Sequence, residues 1–537
     1  MKLKHFFYAG VFAVGIAACS DNEEIGNAQT PTEANVYMTL QIVGPQGMNS
    51  RTAPENPPTE GTESGDIEVG TSEENKISSV NVLLCDPKTH VVTHSYNISS
   101  SALTSITNGV RTPVIETSTG IYDVYVIANP TKDLQTITGD VTGKTIDQIT
   151  EALMKSKYAA NNTFLMFNEC NGSDDTGGES ITIGKDNDYE HPATCSTIQL
   201  DRLAVKITSS VGQSVDISEI TTGDDAEFNA VQSVELKGFK LLNGATKANL
   251  QQKWTATLSG QGSYPWTNTL ITPILDEGSS TDATRSPGYY NHLSDFRTIE
   301  HTQQTGGSGV TYTEVKDLYS LVASYGSTDT SPIYCMENNP TWNGTSIVDA
   351  LNGNTTGLVY QWQVTLKNNA SDNLLGSNTF YSYNGTYYGT LEAISTAYPT
   401  VFDDGDPETD VTAELAAAQQ ELKDANELTG SEKEDAISYF RTKYKIKVYT
   451  GGIMYYIHYI KDQNYQQGSP ADRYYSVMRN TVYSLKVTGL LHIGTDIPGG
   501  WNPDKDPEDP VDPTNVYMVV EAQANPWVVS SENITLQ

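Results

Sequence analysis

The stretch Tyr122–Val126 reads Tyr-Asp-Val-Tyr-Val and places its apolar side chains at every second position. A period of two puts alternate side chains on opposite faces of a strand, so that one face can be buried while the other meets solvent. Thr481–Val487, which reads Thr-Val-Tyr-Ser-Leu-Lys-Val, has the same period. Both stretches therefore predict half-buried antiparallel strands.

Similar short runs of β-branched and aromatic residues, bounded by Gly, Asn, Pro or Asp, recur along the chain. They are Ile77–Cys85, Ile121–Ala128, Ile198–Ile207, Val231–Leu242, Leu358–Leu366, Tyr444–Tyr449, Ile453–Ile460 and Val482–Leu490. Short strands separated by turn signals favour β-sandwiches over βαβ units. At roughly 100–200 residues per domain, the 537 residues predict two or three domains. The polar stretch Thr208–Ala230 lies between two strand clusters and predicts a boundary near residue 215, so the expected fold is all-β with two sandwiches.

Helical signals are few and local. Val411–Asn426 is rich in Ala, Glu, Gln and Leu, and Ser431 with Glu434 has the spacing of a capping box ahead of Ala436–Phe440. Asp147–Met154 is a weaker candidate. The first two segments predict a small helical insertion beside the sheet.

The charge balance excludes one class of partner. The chain has 66 Asp and Glu against 32 Lys and Arg, a formal net charge of −34. Such a surface repels phosphate backbones and anionic lipids, so nucleic-acid binding is not expected.

The N-terminus predicts export. Met1–Lys4 is basic, and Phe6–Ala18 is an apolar stretch whose length suits a signal peptide rather than a membrane span. Ile16–Cys19 has the pattern of a lipobox, in which the thiol of Cys19 takes up a diacylglycerol group, although an ordinary signal peptide with a chance cysteine would also fit. We therefore expect residues 1–18 to be removed and a lipidated Cys19 to begin the mature precursor.

The remaining cysteines do not have zinc-ligand spacing. Cys85 and Cys335 lie in apolar surroundings and are predicted to be buried thiols. Cys170 and Cys195 flank an acidic, Gly-rich loop, where a disulfide and two free thiols are both open alternatives.

The two ends of the chain carry the same short sequence. Asn35–Met38 reads Asn-Val-Tyr-Met, and Asn515–Met518 repeats it. The alternation continues in both copies, so that each presents four apolar side chains on one face. These are Val36, Met38, Leu40 and Ile42 in the first copy and Val516, Met518, Val520 and Ala522 in the second. Both copies lie outside the main strand runs, which suggests that they compete for one groove.

The segments that flank the two copies suggest how such a competition would work. Residues 498–514 are rich in Pro, Asp and Glu and predict a stiff linker that, at about 3.1 Å per residue, could span roughly 45 Å. Its stiffness favours reaching a neighbouring molecule over folding back. Arg51 follows the first copy in a polar, Pro-containing segment where a trypsin-like protease could cut, although an ordinary surface arginine is an equally open reading. If the first copy left its groove, the second copy of a neighbour could enter, and the head-to-tail contact would build an open filament.

Further motifs resemble those of a known family. They are the lipobox, the N-terminal strand that ends near an arginine, Gly120–Asn129, Leu200–Ile207, Tyr334–Asn338, Val477–Tyr483, the linker after Trp501–Pro503 and the terminal Asn525–Trp527. In this order they resemble the FimA/Mfa-type fimbrial subunits of Bacteroidia, the type V pilins, and most closely the Mfa-type major subunit.

The resemblance implies two transthyretin-like β-sandwich domains, a small helical insertion and a C-terminal donor strand. It implies a signal peptide at 1–18, a propeptide at 19–51 with an acylated (palmitate-bearing) Cys19, sandwiches at 52–215 and 216–497, a linker at 498–514 and a donor strand at 515–537. The precursor would reside on the outer membrane until an arginine-specific, trypsin-like protease cuts between Arg51 and Thr52. Strand exchange would then build an extracellular fimbrium for adhesion and biofilm formation, with anchor and tip fimbrial subunits as further partners.

No enzymatic constellation is visible. The sequence has neither a Gly-Xaa-Ser-Xaa-Gly elbow nor a phosphate loop, and its acidic loops lack the calcium-hand pattern. We therefore predict no catalytic residues, no metal site and no cofactor. A monomeric surface lipoprotein that binds glycans through exposed Tyr and Trp is the alternative function.

Overall fold

The computed structural model describes residues 35–45, 68–130, 141–150, 153–155, 159–160, 163–168, 178–222, 226–242, 247–251, 253–255, 269–271, 302–303, 310–311, 332–338, 350, 355–403, 410–462, 475, 477–497 and 517–528. Strands dominate these segments, which confirms the predicted all-β class.

The strands of the first part of the chain are short and follow one another closely. They are β1 (Val36–Met38), β2 (Gln41–Val43), β3 (Glu68–Val69), β4 (Ser79–Cys85), β5 (Val92–Ser99), β6 (Thr104–Ile106), β7 (Gly109–Arg111), β8 (Ile115–Thr117), β9 (Gly120–Ala128), β10 (Leu153–Lys155), β11 (Ala159–Ala160), β12 (Thr163–Phe164), β13 (Met166–Asn168), β14 (Glu179–Ile183) and β15 (Ile198–Arg202). A short helix, α1 (Ile146–Thr150), precedes β10.

The second part of the chain contains long strands of 10–13 residues as well as short ones. They are β16 (Ala204–Asp216), β17 (Val231–Leu242), β18 (Lys247–Asn249), β19 (Lys253–Thr255), β20 (Thr269–Ile271), β21 (Thr302–Gln303), β22 (Val310–Thr311), β23 (Ile333–Met336), β24 (Gly357–Leu366), β25 (Phe380–Tyr383), β26 (Thr386–Tyr388), β27 (Lys447–Tyr449), β28 (Ile453–Tyr459), β29 (Thr481–Leu490) and β30 (Met518–Val528). The helices are α2 (Ser218–Thr221), α3 (Leu391–Ala397), α4 (Val411–Glu427) and α5 (Gly430–Tyr444).

The first sandwich is built on a nine-stranded sheet. Its order is β5-β4-β9-β13-β15-β2-β7-β6, with β14 also paired to β9, and β1 pairs with β8 beside it. The predicted half-burial of Tyr122–Val126 is wrong, because Val124 and Tyr125 on opposite faces of β9 are both fully buried. Val124 faces the main core, whereas Tyr125 packs into a second cluster that includes Ile146 of α1.

The second sandwich packs two sheets face to face. One has the order β23-β16-β29-β30-β3 and the other the order β17-β24-β28, and a single apolar core joins them. In β29, Tyr483, Leu485 and Val487 are buried in the core of the second sandwich. On the opposite face Lys486 is exposed but Val482 is buried against the first core, so the predicted half-burial holds only for the later part of the strand. β29 is antiparallel to β30 but parallel to β16, so the predicted antiparallel pairing holds on one edge only.

The predicted helical insertion is present, with different caps. Asp410 caps α4, since its carboxylate accepts a hydrogen bond of 2.9 Å from the Ala413 amide. The capping box of Ser431 and Glu434 is wrong, because α5 already begins at Gly430 and Ser431 lies inside its first turn. The predicted helix at 147–154 ends at Thr150 and is followed by β10.

The helices α3, α4 and α5 share a separate core with the sheet β26-β25-β27. Its buried members are Leu374, Leu375, Tyr381, Leu391, Ile394, Phe402, Ala418, Leu422, Ala425, Ile437, Phe440, Tyr444, Ile446 and Val448. The insertion therefore packs as a small α+β layer of its own. Among the described helices, none is long and apolar enough to cross a membrane.

The chain passes from the first sheet to the second at Leu203, between β15 and β16. The polar residues from Thr208 onward continue as part of β16, which ends only at Asp216. The domain limits at 215 and 216 stay a prediction.

Candidate assembly site

The N-terminal repeat lies inside the first sandwich. Val36, Met38, Leu40 and Ile42 are each at most 1% exposed, so the predicted alternation places all four side chains in the core. At about 1.5–3 kcal/mol per fully buried apolar side chain, burial of the four contributes on the order of 6–12 kcal/mol before ordering costs.

Backbone hydrogen bonds hold β1 on both edges. β8 pairs with it antiparallel on one side. On the other side, the carbonyl of Asn187 accepts from the amide of Tyr37 at 2.9 Å, and the carbonyl of Ala193 accepts from the amide of Thr39 at 2.9 Å. The strand is thus enclosed rather than laid along an edge.

β2 is enclosed in the same way, by β15 in parallel and by β7 in antiparallel pairing. Between β1 and β2, the Leu40 amide donates to Thr112 Oγ1 at 3.0 Å, and the Thr112 amide donates to the Leu40 carbonyl at 3.0 Å. Removal of residues 36–43 would therefore leave a groove with an apolar floor and two rims of unpaired backbone groups, which can accept another strand.

Gly109 allows β7 to approach β2 closely. A Cβ atom at this position would lie 2.0 Å from the carbonyl oxygen of Ile42. The sequence offered no pattern that singled out this glycine, since the requirement depends on a partner strand more than sixty residues away.

The C-terminal repeat lies in the second sandwich. β30 pairs with β29 from Thr481–Pro526 to Leu490–Met518, with a shift in register after Val487. Met518 is buried, and Val520 and Ala522 are partly buried against the same core. Tyr517 and Val519, which alternate with them, are 42% and 36% exposed. Val516 lies outside the described residues.

The repeats are part of the main sheets rather than separate from the strand clusters, because each copy is a strand of one sandwich. In the single chain, the ladder with β29 and the bonds from the Leu491 and His492 amides to the Tyr517 carbonyl place the strand after the linker in its own sheet. That it reaches a neighbouring molecule stays a prediction. The linker at 498–514 itself lies outside the described residues.

The outer edge of β30 has a short partner. Glu68 and Val69 of β3 pair in parallel with Trp527 and Val528. The segment after β3 then enters the molecule at Glu74, which is only 4% exposed. Residues that follow the predicted cleavage site in sequence thus contact the end of the C-terminal strand.

A buried polar cluster, which we call the Arg202 cluster, joins the two sandwiches. Arg202 is fully buried; its Nε donates to the Glu74 carbonyl at 3.1 Å and its Nη1 donates to Asn480 Oδ1 at 3.1 Å. The Glu74 carboxylate contacts Lys206 Nζ at 2.9 Å and accepts from the Tyr334 hydroxyl at 2.6 Å.

These contacts tune the acidity of Glu74. Burial raises its pKa, but hydrogen bonds from Tyr334, Lys206 and the Thr71 amide together outweigh that effect, and the pKa lies below its usual value. The residue types and spacings do not predict that these side chains form one cluster. Three of the stretches that carried the family resemblance, Leu200–Ile207, Tyr334–Asn338 and Val477–Tyr483, meet at this cluster or directly beside it.

The described thiols are poorly suited to chemistry. Burial raises the pKa of Cys85 and of Cys335 to about 12, and both lie in cores, as predicted. Cys195 is half-buried, and Cys170 lies outside the described segments, so a disulfide between them stays one of two open alternatives. Within the described segments, His, Cys, Asp and Glu do not cluster in groups of three or more that could hold a metal ion. Cys19, Arg51 and Thr52 also lie outside these segments.

Two protein-family models match the chain, one in its N-terminal part and one near its C-terminus. The family described as major fimbrial subunit protein (FimA) matches residues 34–202, and the family described as major fimbrial subunit protein type IV, fimbrillin, C-terminal, matches residues 447–533. The first match includes the enclosed N-terminal repeat, and the second includes β29 and β30. No curated protein sequence matches the chain.

Solved structures show remote likeness over most of the chain. A candidate cell adhesion protein of Parabacteroides distasonis has 13% identity and a TM-score of 0.45, covering 93% of this chain and 100% of its own. A fimbrilin (FimA) of Porphyromonas gingivalis has 12% identity and a TM-score of 0.40, covering 93% and 99%. The tip fimbrial protein Mfa3 of Porphyromonas gingivalis has 10% identity and a TM-score of 0.31, covering 92% and 100%.

The family matches at the two ends, rather than these remote structures, decide the assignment. Residues 34–202 match the FimA major fimbrial subunit family and residues 447–533 match the fimbrillin C-terminal family, so the chain is a fimbrial subunit with a structural rather than an enzymatic role in a surface fimbria.

Proposed function

We propose that this chain is the shaft subunit of its fimbria and that it polymerises by donor-strand exchange. In this proposal, residues 36–43 are the strand that leaves, and residues 515–537 of a neighbouring copy supply the strand that enters. The observation that carries the proposal is the arrangement of the two repeats: one is enclosed in the first sandwich, and the other lies at the rim of the second with the same apolar face.

Cleavage after Arg51 would convert the enclosed strand into a replaceable one. While the chain is intact, the strand is tethered to its groove and returns faster than a second molecule can compete. After cleavage, residues 19–51 are a separate peptide that is lost once it dissociates. The C-terminal strand of a neighbour then faces an open groove.

Export as a lipoprotein would place this event at the cell surface. Cys19 would carry the acyl groups, and the precursor would remain on the outer membrane until the protease releases it from residues 19–51. Removing residues 1–51 takes away three basic and four acidic residues, so the polymerised part keeps nearly all of the 66 acids of the chain. Anchor and tip subunits would complete the fimbria, which would serve adhesion and biofilm formation.

The test is to follow polymer ladders on unheated SDS gels while the cleavage site is varied. Wild-type precursor treated with trypsin should form ladders, and the N-terminal residue of the ladder should be Thr52. Arg51→Ala should abolish both the ladders and the new N-terminus at Thr52. Arg51→Lys distinguishes trypsin from an arginine-specific protease, because trypsin still cuts after lysine, whereas an arginine-specific protease does not.

Ladders of equal yield from Arg51→Ala, or shed material that still begins at a lipidated Cys19, would contradict the proposal. Saturable polysaccharide binding by a protein that stays monomeric after trypsin treatment would support a glycan-binding lipoprotein instead. Cys19→Ala should leave ladder formation by purified protein unchanged and remove the precursor from the outer membrane.

A further inference from the structure

We infer that the groove takes residues 516–522 of a second copy in the register of residues 36–42, and that Ala522 underfills the place of Ile42. This inference rests on the proposed strand exchange. It specifies the register of the incoming strand and explains why the precursor retains its own strand.

The register follows from the two sequences. An offset of 480 residues superimposes the identical Asn-Val-Tyr-Met stretches and carries Leu40 onto Val520 and Ile42 onto Ala522. A shift of one residue would turn the apolar face to solvent, so only even shifts compete. The identical order also implies that the incoming strand runs antiparallel to β8, as β1 does.

The rims of the groove accept this register. The hydrogen bonds between residues 37–40 and Asn187, Ala193 and Thr112 use backbone atoms of the strand. Any incoming sequence without proline at these positions can therefore form them. Residues 516–522 contain no proline. The side-chain bonds of Thr39 are lost, because its hydroxyl donates to the Thr112 carbonyl at 3.1 Å and contacts Thr112 Oγ1 at 3.5 Å, whereas Val519 in its place has no hydroxyl.

An aromatic contact outside the groove also fits. Tyr37 packs edge-on against Tyr189 with ring centroids 5.5 Å apart, and Tyr189 is 64% exposed. In its own sheet, Tyr517 lies edge-on to His492 at 5.4 Å. In the inferred register Tyr517 replaces Tyr37 beside Tyr189, so it exchanges one edge-on partner for another.

The fit is poorest at the place of Ile42. Ile42 is fully buried, directly opposite Ile198 of β15 and Val110 of β7. Ala522 has three carbon atoms fewer, and Val520 has one fewer than Leu40, so the donated strand leaves space that the original strand fills. The groove is therefore more complementary to residues 36–42 than to residues 516–522. This difference holds the precursor in its monomeric state until the first strand is cut away.

Cysteine pairs test the register. Tyr37 lies opposite the exposed Glu116 in the β1–β8 ladder. In trypsin-treated full-length Tyr517→Cys/Glu116→Cys protein, oxidation should join neighbouring subunits covalently, because facing residues of an antiparallel pair are close enough for a disulfide. Val519→Cys/Glu116→Cys should not cross-link, and each single variant controls for the native thiols, including Cys195.

The alternative outcomes separate the two proposals. Cross-linking through position 519 rather than 517, or intact ladders without either cross-link, would overturn the register while leaving strand exchange in place. The absence of ladders from wild-type protein as well would mean that strand exchange itself fails, and this inference fails with it.

A second variant tests the underfilled place. In a ladder, residue 522 has left its own sheet, so the rate at which preformed ladders dissociate reports on the groove alone. Ala522→Ile restores three buried carbons and should slow dissociation by about 50-fold, at the usual value per buried methylene. Val519→Ile, on the outward face, should change the rate by less than about threefold. Equal rates for Ala522→Ile and wild type would overturn the inference.

Discussion

Glu74 is a buried carboxylate that three groups hold in its charged form. Lys206, Tyr334 and the Thr71 amide all contact it, and the backbone of the same residue accepts from Arg202. Glu74 thereby contacts β15 of the first sandwich through Arg202, and β16 and β23 of the second through Lys206 and Tyr334.

This arrangement predicts a pH dependence. Because the folded-state pKa of Glu74 is below its usual value of 4.5, its stabilisation is fully present above about pH 4.5 and is lost as the pH falls through the folded-state pKa. Glu74→Gln should therefore be less stable than wild type at pH 7, and the gap should narrow below pH 4.5. Urea unfolding midpoints of both proteins at pH 7, 5 and 3.5 measure this difference in stability. A difference that stays constant with pH would show that the Glu74 carboxylate is not the stabilising group.

Gly109 gives a second prediction at this scale. Gly109→Ala places a methyl group against the Ile42 carbonyl, so β7 or β2 must move, and the free energy of unfolding should fall by about 1–3 kcal/mol. Gly184→Ala is the matched control, because the nearest atom to its added Cβ is 3.7 Å away. Chemical denaturation of the two variants checks the difference, and equal losses would exclude the close approach as the cause.

The burial of single residues was predictable where they follow the two-residue period of a strand. It was missed where it depends on a partner that is distant in sequence. The inward set Val36, Met38, Leu40 and Ile42 follows from alternation alone. Arg202 has no such signal, since an arginine between Asp201 and Leu203 is typical of a surface until Glu74 and Asn480 surround it.

At the scale of elements, the helical insertion is fixed to the segment that follows β29. Arg441 of α5 forms an ion pair with Asp496 at 2.8 Å, with side chains 2% and 0% exposed. The same carboxylate accepts from the Val448 amide at 3.1 Å, so α5, β27 and the segment after β29 meet at one point. The insertion is therefore fixed to the residues that directly follow β29.

Removing one partner of this buried pair should be costly. Asp496→Ala removes the carboxylate that pairs with the buried Arg441 guanidinium and should lower the free energy of unfolding by about 3–5 kcal/mol. Glu235→Gln, at the exposed pair with Lys237, is the control and should cost less than about 1 kcal/mol. Thermal unfolding of both variants measures the contrast, and a small effect at Asp496 would show that the pair does not anchor the insertion.

Elements were predicted best where composition and period agree. The bounds of α4 follow from its Ala, Glu and Leu content, whereas the start of α5 was misplaced because a capping motif does not reveal that the preceding Gly430 is already helical. The return of β30 to its own sheet was missed, because linker composition indicates stiffness and reach but does not indicate direction.

At the scale of the whole molecule, the two repeats lie in different sandwiches of one chain. The first is enclosed on both edges, whereas β30 has β29 on one edge and only the short β3 on the other. The acidic surface opposes lateral contacts between like-charged molecules, so an apolar strand is left as the means of joining them. We therefore expect that β30 must leave its own sheet before it can join a neighbour.

A reversible disulfide between β29 and β30 tests whether β30 must leave its sheet. Lys486 and Glu521 face each other on the exposed side of β29 and β30 and are 51% and 63% exposed, so Lys486→Cys/Glu521→Cys can close a disulfide without disturbing the core. After trypsin cleavage, the oxidised double variant should remain monomeric on unheated SDS gels, and reduction with dithiothreitol should restore ladders to the level of the single variants. Ladders that form equally well with the disulfide closed would contradict strand donation by β30.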